Sequence, residues 1–589
     1  MIATAAFLSL LPLAQSGLVV FQGAPGGVGA VVEVDPSATS PAAPVAGLDG
    51  LTLLPIDATG RLELDGLRSD VPRYRGDVPG ASRLVLPSGR GSLYRYSRPA
   101  ASGLEFGLFV VDGAGRARRV FVRNGVGPAG DQPPFIARVA VAPSGAALLV
   151  VTTLPAGGDA IEVDLASGAE LNRTSNLAPQ RFVAGGVHYR AAWGVLASPA
   201  GVWRFAAGSQ GDATPVAFPA PLPARFSGEV AFSSNGQWAV TTAGPAADEL
   251  DVYAFTSSGG AVAVTAAPAR LSPAGYLPDH LHGPYLAISD DGSHCAWRLE
   301  TDVSREAFLG RVPPLAPAPG DHLTQDANFI DTIDEIGDFF FRPASSVLVF
   351  AAGERSTTGP PVIENIDLYS AQLPAGGAAN LLNLTQSSGV PLPPFVVPAE
   401  LKPQTTALEP GTSRVLMHTR YSGGTGELIA ADASSTGFTV LIPNAKEVHF
   451  VERAGADTLV ALQRSNGAKP VEVFRIDANW NPPGAPLLSV NTLHLFDRFT
   501  AGPGGWAAFV ERTLTKERLW RFDASSNTLV KFSDRALFFG PTLSWAPTGE
   551  LGLSVGQGGA VSLFGAWPRT SSVLRLPLPV GPGFLLPGA

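Results

Sequence analysis

The sequence predicts an all-β protein, a β-propeller built from four-stranded blades. A degenerate phrase recurs along most of the chain: two apolar runs separated by a turn with Gly, a polar loop, and a third apolar run. The 67 Gly and 53 Pro residues interrupt almost every window long enough for a helix. The hydrophobic fraction is 45% and the charged fraction 15%, as in globular proteins. A four-stranded sheet cannot bury both faces alone, so the copies are expected to stack around a ring.

The clearest copy of the phrase spans 230–240 and continues at 249–255. Gly236 lies between two apolar runs, where it supplies the positive φ that a tight hairpin turn needs. The same pattern places Gly292 in such a turn, and it places Trp238 and Trp297 in the packing between adjacent blades. Further copies lie at 139–165, 286–299, 339–369, 506–523 and 543–555.

The number of copies predicts how the chain is divided. The Gly turns give about ten or eleven units, spaced by about 45–56 residues, and a blade takes about 40–50. Because one ring usually holds about four to eight blades, we predict two tandem propellers. Their predicted boundaries are 17–312 and 331–576, with a Pro-rich linker at 313–330 and an extended tail at 577–589. The alternative is one large ring with decorated loops.

Two features of the phrase resemble a known repeat. The turns at 232–236 (FSSNG) and 288–292 (ISDDG) are each followed by an apolar strand, and 251–253 (DVY) and 367–369 (DLY) begin a further strand. This pattern resembles the repeat of the TolB-like (WD40-like) β-propellers. The resemblance implies the architecture. For function it implies protein binding, ligand binding or an accessory role to an enzyme alike.

The start of the chain, 1–16, resembles a secretory signal peptide. An apolar core from Ala5 to Leu13 is followed by small residues, although no Lys or Arg precedes the core. The alternative is that this run is a first buried strand. Since no other stretch is long and apolar enough for a membrane span, we predict a secreted or periplasmic protein. The single Cys295 excludes an intramolecular disulfide.

Charge and motifs exclude several functions. The net charge of −9 argues against a nucleic-acid binder, which needs a basic surface to neutralise phosphates. A Gly-x-Ser-x-Gly match at 552–556 has no His after it and is followed by another strand-like run, so it is predicted to be part of a strand. The sequence predicts no cofactor, apart from the divalent metal considered next.

Four of the eight His residues lie between 280 and 322. A His-x-His pair, His280 and His282, can offer two imidazoles to one metal ion, and Asp321 and His322 can complete the site. His294 belongs to the same stretch. The alternative is a polar loop with solvated His side chains, so the divalent metal site is one of two interpretations.

Two functional hypotheses follow. The first is a secreted or periplasmic propeller that binds a protein or a cell-surface component and is a scaffold or interaction module rather than an enzyme. The second is a metal-assisted hydrolase or lyase acting on carbohydrate, centred on His280, His282 and His322. Neither hypothesis includes nucleic acid or a membrane span.

Overall fold

The computed structural model shows an all-β protein in which 63% of residues lie in strands. The residues that it describes are 17–35, 44–56, 58–59, 73–75, 78, 80–101, 103–125, 135–142, 144–153, 158–178, 187–189, 192–207, 213–221, 223, 225–246, 249–265, 286–300, 305–312, 321–323, 334–342, 345–355, 363–374, 379–384, 406–408, 414–422, 425–432, 438–464, 471–490, 495–512, 517–545, 551–557, 560–567, 572–575 and 583–588. The predicted signal peptide at 1–16 and the candidates His280 and His282 lie outside them. No helix in these ranges is long and apolar enough to cross a membrane.

The strands are short, because turns rich in Gly and Pro interrupt the chain. In the first part of the chain they are β1 Leu18–Gln22, β2 Ala30–Val34, β3 Thr52–Leu54, β4 Ala58–Thr59, β5 Arg73–Arg75, β6 Arg83–Val85, β7 Ser92–Ala100, β8 Gly103–Val111, β9 Ala117–Gly125, β10 Phe135–Val141, β11 Ala147–Thr153, β12 Ala160–Asp164, β13 Glu170–Asn172, β14 Val187–Tyr189, β15 Trp193–Ser198, β16 Gly201–Ala206, β17 Thr214–Pro215, β18 Arg225–Phe232, β19 Ala239–Ala246, β20 Glu249–Phe255 and β21 Val262–Ala263.

The second part contains the longest strands of the molecule. Its strands are β22 Leu286–Ile288, β23 His294–Glu300, β24 Arg305–Arg311, β25 Asp321–His322, β26 Asp334–Phe341, β27 Leu348–Arg355, β28 Ile363–Gln372, β29 Asn380–Asn383, β30 Thr406–Leu408, β31 Arg414–Ser422, β32 Thr425–Asp432, β33 Phe438–Ala454, β34 Asp457–Arg464, β35 Val471–Ile476, β36 Leu488–Val490, β37 Leu495–Ala501, β38 Trp506–Arg512, β39 Glu517–Asp523, β40 Thr528–Trp545, β41 Leu551–Gln557, β42 Ala560–Trp567, β43 Ser572–Arg575 and β44 Gly583–Leu585.

These strands form nine sheets, which are the blades of a β-propeller. Within a blade, neighbouring strands are almost all antiparallel and joined by hairpins, as the repeated phrase predicts. The blades are, in order, blade 1 (β1, β2, β44), blade 2 (β3, β5 to β9), blade 3 (β4, β10 to β13), blade 4 (β14 to β17), blade 5 (β18 to β21), blade 6 (β22 to β25), blade 7 (β26 to β29), blade 8 (β30 to β36) and blade 9 (β37 to β43).

Blades 8 and 9 each contain seven strands because one long strand is shared. The first part of β33 pairs with β32, and its second part, from Ala445, pairs with β34. In blade 9, β40 pairs with β39 up to Leu537 and with β41 from Phe538. The chain therefore runs from the outer strand of one four-stranded unit into the first strand of the next without a loop.

The contacts between blades follow one closed ring rather than two. Each blade contacts its successor in the chain, and this includes the step from blade 6 to blade 7, where β24 contacts β26. The tandem arrangement predicted from the number of repeats is not observed, because no break in these contacts occurs at that step. Within the predicted linker 313–330, Asp321 and His322 form the outer strand of blade 6. The single ring was the alternative prediction.

The two ends of the described chain close the ring. Strand β44 pairs antiparallel with β1, placing Phe584 opposite Phe21, with the two rings 5.1 Å apart. The Leu586 amide donates to the Val19 carbonyl at 2.8 Å, and the Tyr94 hydroxyl donates to the Pro587 carbonyl at 2.7 Å. This strand lies within the predicted extended tail, 577–589. A ring closed in this way leaves no blade at a free end.

The core lies between neighbouring blades. Trp297 of blade 6 is 2% exposed and stacks on Phe308, and a half-buried Trp238 of blade 5 packs against the same cluster. Both predictions for these Trp residues are confirmed. Gly236 has φ +71° and Gly292 φ +73°, which confirms the two positive-φ turns. The Gly-x-Ser-x-Gly match lies in β41, a strand as predicted.

A buried polar network joins blades 3 and 4. The fully buried Arg173 donates through Nε to Oε2 of Glu162 at 2.7 Å, and the Tyr189 hydroxyl donates to Oε1 of the same carboxylate at 2.5 Å. The guanidinium also lies over the ring of Phe205, 5.0 Å from its centroid. Burial and the Glu162 carboxylate raise the pKa of Tyr189 well above its ordinary value. The Glu162 carboxylate thus links Arg173 of blade 3 to Tyr189 of blade 4.

Candidate functional site

The turns that join the first two strands of blades 5 and 6 interlock on one face of the ring. The backbone amide of Asn235 donates to the Asp290 carbonyl at 3.0 Å. The side-chain Nδ2 of Asn235 donates to the Asp291 carbonyl at 2.7 Å. The Ser234 hydroxyl also donates to the Asp290 carboxylate. The turn of blade 6 is therefore held by the preceding blade as well as by its own strands.

Both turns close with the same local hydrogen bonds. In blade 5 the Trp238 amide donates to the Ser233 hydroxyl at 3.0 Å, and in blade 6 the His294 amide donates to the Ser289 hydroxyl at 3.0 Å. In the same six-residue register, Asp291 takes the place of Asn235. An imidazole, His294, takes the place of the indole of Trp238. Because an imidazole can accept and release a proton and an indole cannot near neutral pH, His294 distinguishes the blade 6 turn chemically.

A hydroxyl, an imidazole and a carboxylate meet in the blade 6 turn. The Ser293 Oγ lies 2.7 Å from Nδ1 of His294. The same Oγ lies 2.7 Å and 2.8 Å from Oδ1 and Oδ2 of Asp291. The Ser293 amide donates to Oδ1 of Asp291 at 2.9 Å, which fixes the backbone of the turn. Ser293 and His294 are half-buried, whereas Asp291 is exposed.

The surroundings set the protonation states of this group. Burial lowers the pKa of His294, while the Asp291 carboxylate and the Leu373 backbone act in the opposite direction. Burial raises the pKa of Asp291, but hydrogen bonds from Ser289 and Ser293 outweigh it and the net shift is downward. The imidazole is therefore neutral and the carboxylate ionised near pH 7.

A neutral imidazole within hydrogen-bond distance of a serine hydroxyl is the arrangement of a general base and its nucleophile. The Ser293 hydroxyl donates to the Asp291 carboxylate in this structure. When the hydroxyl turns toward the imidazole, Nδ1 can accept its proton while Oγ attacks an electrophilic carbon. The carboxylate of Asp291 restrains the hydroxyl and stabilises the positive charge that develops on the imidazole. The group is thus chemically able to carry out acyl transfer.

The structure does not test the metal site predicted from sequence. Asp321 lies opposite Leu309 and His322 opposite Phe308 in blade 6. His280 and His282 are not described. Within the described ranges, no group of three or more His, Cys, Asp or Glu side chains is close enough to hold a metal ion. The proposed ligand set stays a prediction.

The sequence carried a signal for the Ser293 group that the search for motifs missed. The segments SSNGQW at 233–238 and SDDGSH at 289–294 have the same length and the same Gly position. Their alignment places the only imidazole of the two turns directly after a serine. No standard catalytic motif has this spacing, so the geometry was needed to find it.

Comparison with known proteins gives similarity of structure only. No protein-family model matches the chain, and no curated protein matches it. Among solved structures, the chain is similar to a eukaryotic initiation factor (15% identity, 71% of this chain and 95% of that chain, TM-score 0.31). It is similar to a prolyl endopeptidase (9% identity, 80% and 54%, TM-score 0.32) and to Porphyromonas gingivalis dipeptidyl peptidase 4 (10% identity, 87% and 60%, TM-score 0.37).

These neighbours include β-propeller proteins, and they correct the functional prediction. Two of the three structures above are peptidases, which contradicts the predicted non-catalytic scaffold that binds a protein or surface component; TM-scores of 0.32 and 0.37 carry no activity over to this chain. The chain spans 54% and 60% of those two peptidase chains. Because similarity at this level concerns the fold, the activity of this chain has to be argued from its own residues.

Proposed function

We propose that the protein is a hydrolase of acyl compounds, esters or amides, in which Ser293 is the nucleophile and His294 the general base. The observation that supports this proposal is the 2.7 Å contact between the Ser293 Oγ and Nδ1 of a half-buried His294. The contact lies within the range of about 2.6–3.2 Å expected for a base and the proton it removes.

The reaction would follow two balanced steps. The Ser293 Oγ attacks the acyl carbon as its proton passes to Nδ1 of His294, and the imidazolium then protonates the departing alcohol or amine. The resulting acyl-serine is hydrolysed by a water molecule that His294 deprotonates. The proton returns to Oγ when the carboxylic acid leaves. Asp291 remains ionised throughout and stabilises the imidazolium.

The competing role of Ser293 is to close the turn, and the chain contains a matched control for it. In blade 9 the Ser525 amide donates to Oδ1 of Asp523 at 2.9 Å, and its hydroxyl donates to the same oxygen at 2.6 Å. This repeats the contacts of Ser293 with Asp291, but the next residue is Ser526 instead of an imidazole. Replacing either serine removes the same type of turn contact.

Hydrolysis of p-nitrophenyl acetate by the wild-type protein and by three variants tests the proposal. Ser293→Ala and His294→Gln are expected to lose at least about a hundredfold in kcat/KM, since a positioned base contributes about 10²–10⁴. Ser525→Ala should retain the wild-type rate. Thermal melts establish that each variant is folded. A rate that is unchanged in folded Ser293→Ala, or no turnover by the wild type, contradicts the proposal.

We also infer that the repeats are of the TolB-like type. What supports this inference is the Ser-Asp-Asp-Gly turn at 289–292 with its positive-φ Gly292, together with Asp251 and Tyr253 at the start of the third strand. Secretion directed by 1–16 stays a prediction.

A further inference from the structure

The turn of blade 7 carries an arginine where blades 3, 5 and 6 carry a small residue. The Arg342 amide donates to the Val347 carbonyl at 2.9 Å. The same bond, at 2.9 Å and 2.8 Å, is made in blades 5 and 6 by the amides of Ser233 and Ser289, and in blade 3 by that of Ala142 at 3.0 Å. Blade 7 therefore places a guanidinium at a position that holds a hydroxyl or a methyl group in blades 3, 5 and 6.

This guanidinium has no anionic partner among the residues that the structure describes. The Arg342 Nε is buried and makes no hydrogen bond. Other arginines are paired: Arg204, in strand β16, donates to the Thr256 carbonyl at 2.8 Å, and Arg116, in a turn, donates to the Asp112 carboxylate at 3.1 Å. Burying a charged donor without a partner is unfavourable, so an arginine in this state is suited to a ligand.

Arg342 lines a cleft of about 530 Å³ in blade 7. Ser345, Gln372 and Asn380 contribute a hydroxyl and two amide groups, and Leu381 and Leu382 contribute apolar surface. None of the described residues that line the cleft is acidic, and Arg342 is the one cation among them. The volume lies within the range of about 300–1,000 Å³ of small-molecule sites.

We propose that this cleft binds a small organic carboxylate with an apolar tail. A guanidinium presents two parallel N–H donors that match the two oxygens of a carboxylate. One guanidinium balances the single negative charge of a carboxylate, whereas a phosphate dianion would keep an uncompensated charge. The amides of Gln372 and Asn380 are neutral donors at the polar end, and Leu381 and Leu382 suit an aliphatic chain.

Ligand-observed NMR titration with sodium hexanoate tests the proposal, with hexanamide as the uncharged analogue and inorganic phosphate as the alternative anion. Hexanoate is expected to bind saturably and at least about tenfold more tightly than hexanamide or phosphate, because the charge-assisted bidentate contact is the main interaction. Arg342→Gln should weaken hexanoate binding by at least about tenfold. Arg116→Gln, a substitution at an exposed and paired arginine, should leave the binding unchanged.

Asn380→Asp is a second variant, which places a negative charge in the cleft and should also abolish hexanoate binding. If Arg342→Gln shows no cooperative melting and is therefore not folded, the hexanoate affinity of Asn380→Asp decides the test. The proposal is overturned if hexanoate does not bind the wild-type protein, or if it binds both folded variants as tightly as the wild type. Equal binding of hexanamide, or tighter binding of phosphate, would overturn the assignment to a carboxylate.

Discussion

His294 is the residue through which the environment controls the proposed chemistry. Its imidazole is half-buried between the Asp291 carboxylate, the Arg311 guanidinium and the Leu373 backbone. Burial, the largest of these effects, favours the neutral form and lowers the pKa of the imidazole below its ordinary 6.5. A base that is neutral at neutral pH is ready to accept a proton.

The rate of ester hydrolysis should therefore follow the ionisation of His294. We expect the rate to fall as the pH is lowered, with a midpoint below 6.5, because protonation of Nδ1 removes the base. The pH dependence of kcat/KM measures this directly. A midpoint above 6.5 would contradict the assignment of His294 as the base.

The lowered pKa of His294 also makes the free energy of unfolding depend on pH, and the direction of the shift gives the sign of that dependence. The unfolded chain binds the proton more tightly than the folded protein does. The contribution of neutral His294 to the free energy of unfolding is therefore fully present above 6.5 and is lost as the pH falls through the folded pKa. Urea titrations at several pH values below 6.5 measure this contribution. The free energy of unfolding of His294→Gln should depend less on pH than that of the wild type, and an unchanged dependence would exclude the contribution.

Two tryptophans at the interface of blades 5 and 6 provide a prediction about packing. Trp297 is 2% exposed, whereas Trp238 is half-buried at the edge of the same cluster. Trp297→Ala is expected to lower the free energy of unfolding by about 3–5 kcal/mol through lost burial and a cavity. Trp238→Ala should lower the free energy of unfolding by a smaller amount, because its side chain is only half-buried. Chemical denaturation compares the two variants, and a larger loss for Trp238→Ala would contradict the described packing.

The residue-scale features differ in how far the sequence could predict them. Gly236, Gly292, Trp238 and Trp297 were predictable because a hairpin turn and a buried strand impose their own patterns. The Ser293 group was not predicted, because its three side chains form no standard motif and their contact depends on the shape of one turn. The contact of both Arg173 and Tyr189 with the Glu162 carboxylate depends on the stacking of blades, which local sequence does not encode.

At the scale of the elements, the hairpin turn of blade 5 contacts the corresponding turn of blade 6. A Cβ at Gly292 would lie 2.9 Å from Cδ1 of Trp238 in the neighbouring blade, whereas a Cβ at Gly236 would meet no atom within 4 Å. The two turns share a positive φ and differ in their surroundings. Alanine substitutions at Gly236 and Gly292 therefore separate the free-energy cost of the backbone conformation from the cost of a steric contact.

Gly236→Ala should lower the free energy of unfolding by about 1–2 kcal/mol, the cost of a left-handed backbone for an L-residue. Gly292→Ala should lower it further, because Trp238 must also move. Equilibrium unfolding of both variants measures the difference. Equal losses would show that the contact between the two turns is relaxed in solution.

Sequence also predicted the strands and hairpins, since alternating apolar runs and Gly turns are local signals. It did not predict that β33 and β40 continue from one four-stranded unit into the next. Within β40 the partner changes at Leu537 and Phe538, and the strand continues through Gly540 and Pro541. Blades 8 and 9 each hold two copies of the phrase, which explains why more repeats were counted than sheets.

At the scale of the whole molecule, ring closure decides between one propeller and two. The repeats are local, whereas closure is a contact between the two ends of the chain, and this is why the tandem arrangement was predicted wrongly. Strand β44 joins β1 in blade 1, and Phe584, 3% exposed, packs on Phe21. A closed ring makes the stability of blade 1 depend on both ends.

Phe584→Ala should therefore loosen both partners together. We expect hydrogen exchange to accelerate at 18–22 as well as at 583–585, because removing the ring leaves a cavity that costs about 3–5 kcal/mol. The strand at 506–512 in blade 9 is the internal control and should keep its protection. Faster exchange confined to 583–585 would contradict closure of the ring by this pair.

The hydrolase proposal is tested most directly by covalent trapping of the nucleophile. The intact protein is treated with a fluorophosphonate probe, and the modified residue is located by mass spectrometry. The account predicts a single adduct on Ser293 that is absent from Ser293→Ala, strongly reduced in His294→Gln and unchanged in Ser525→Ala. The absence of any adduct on the folded protein, or an adduct on another serine, would contradict it.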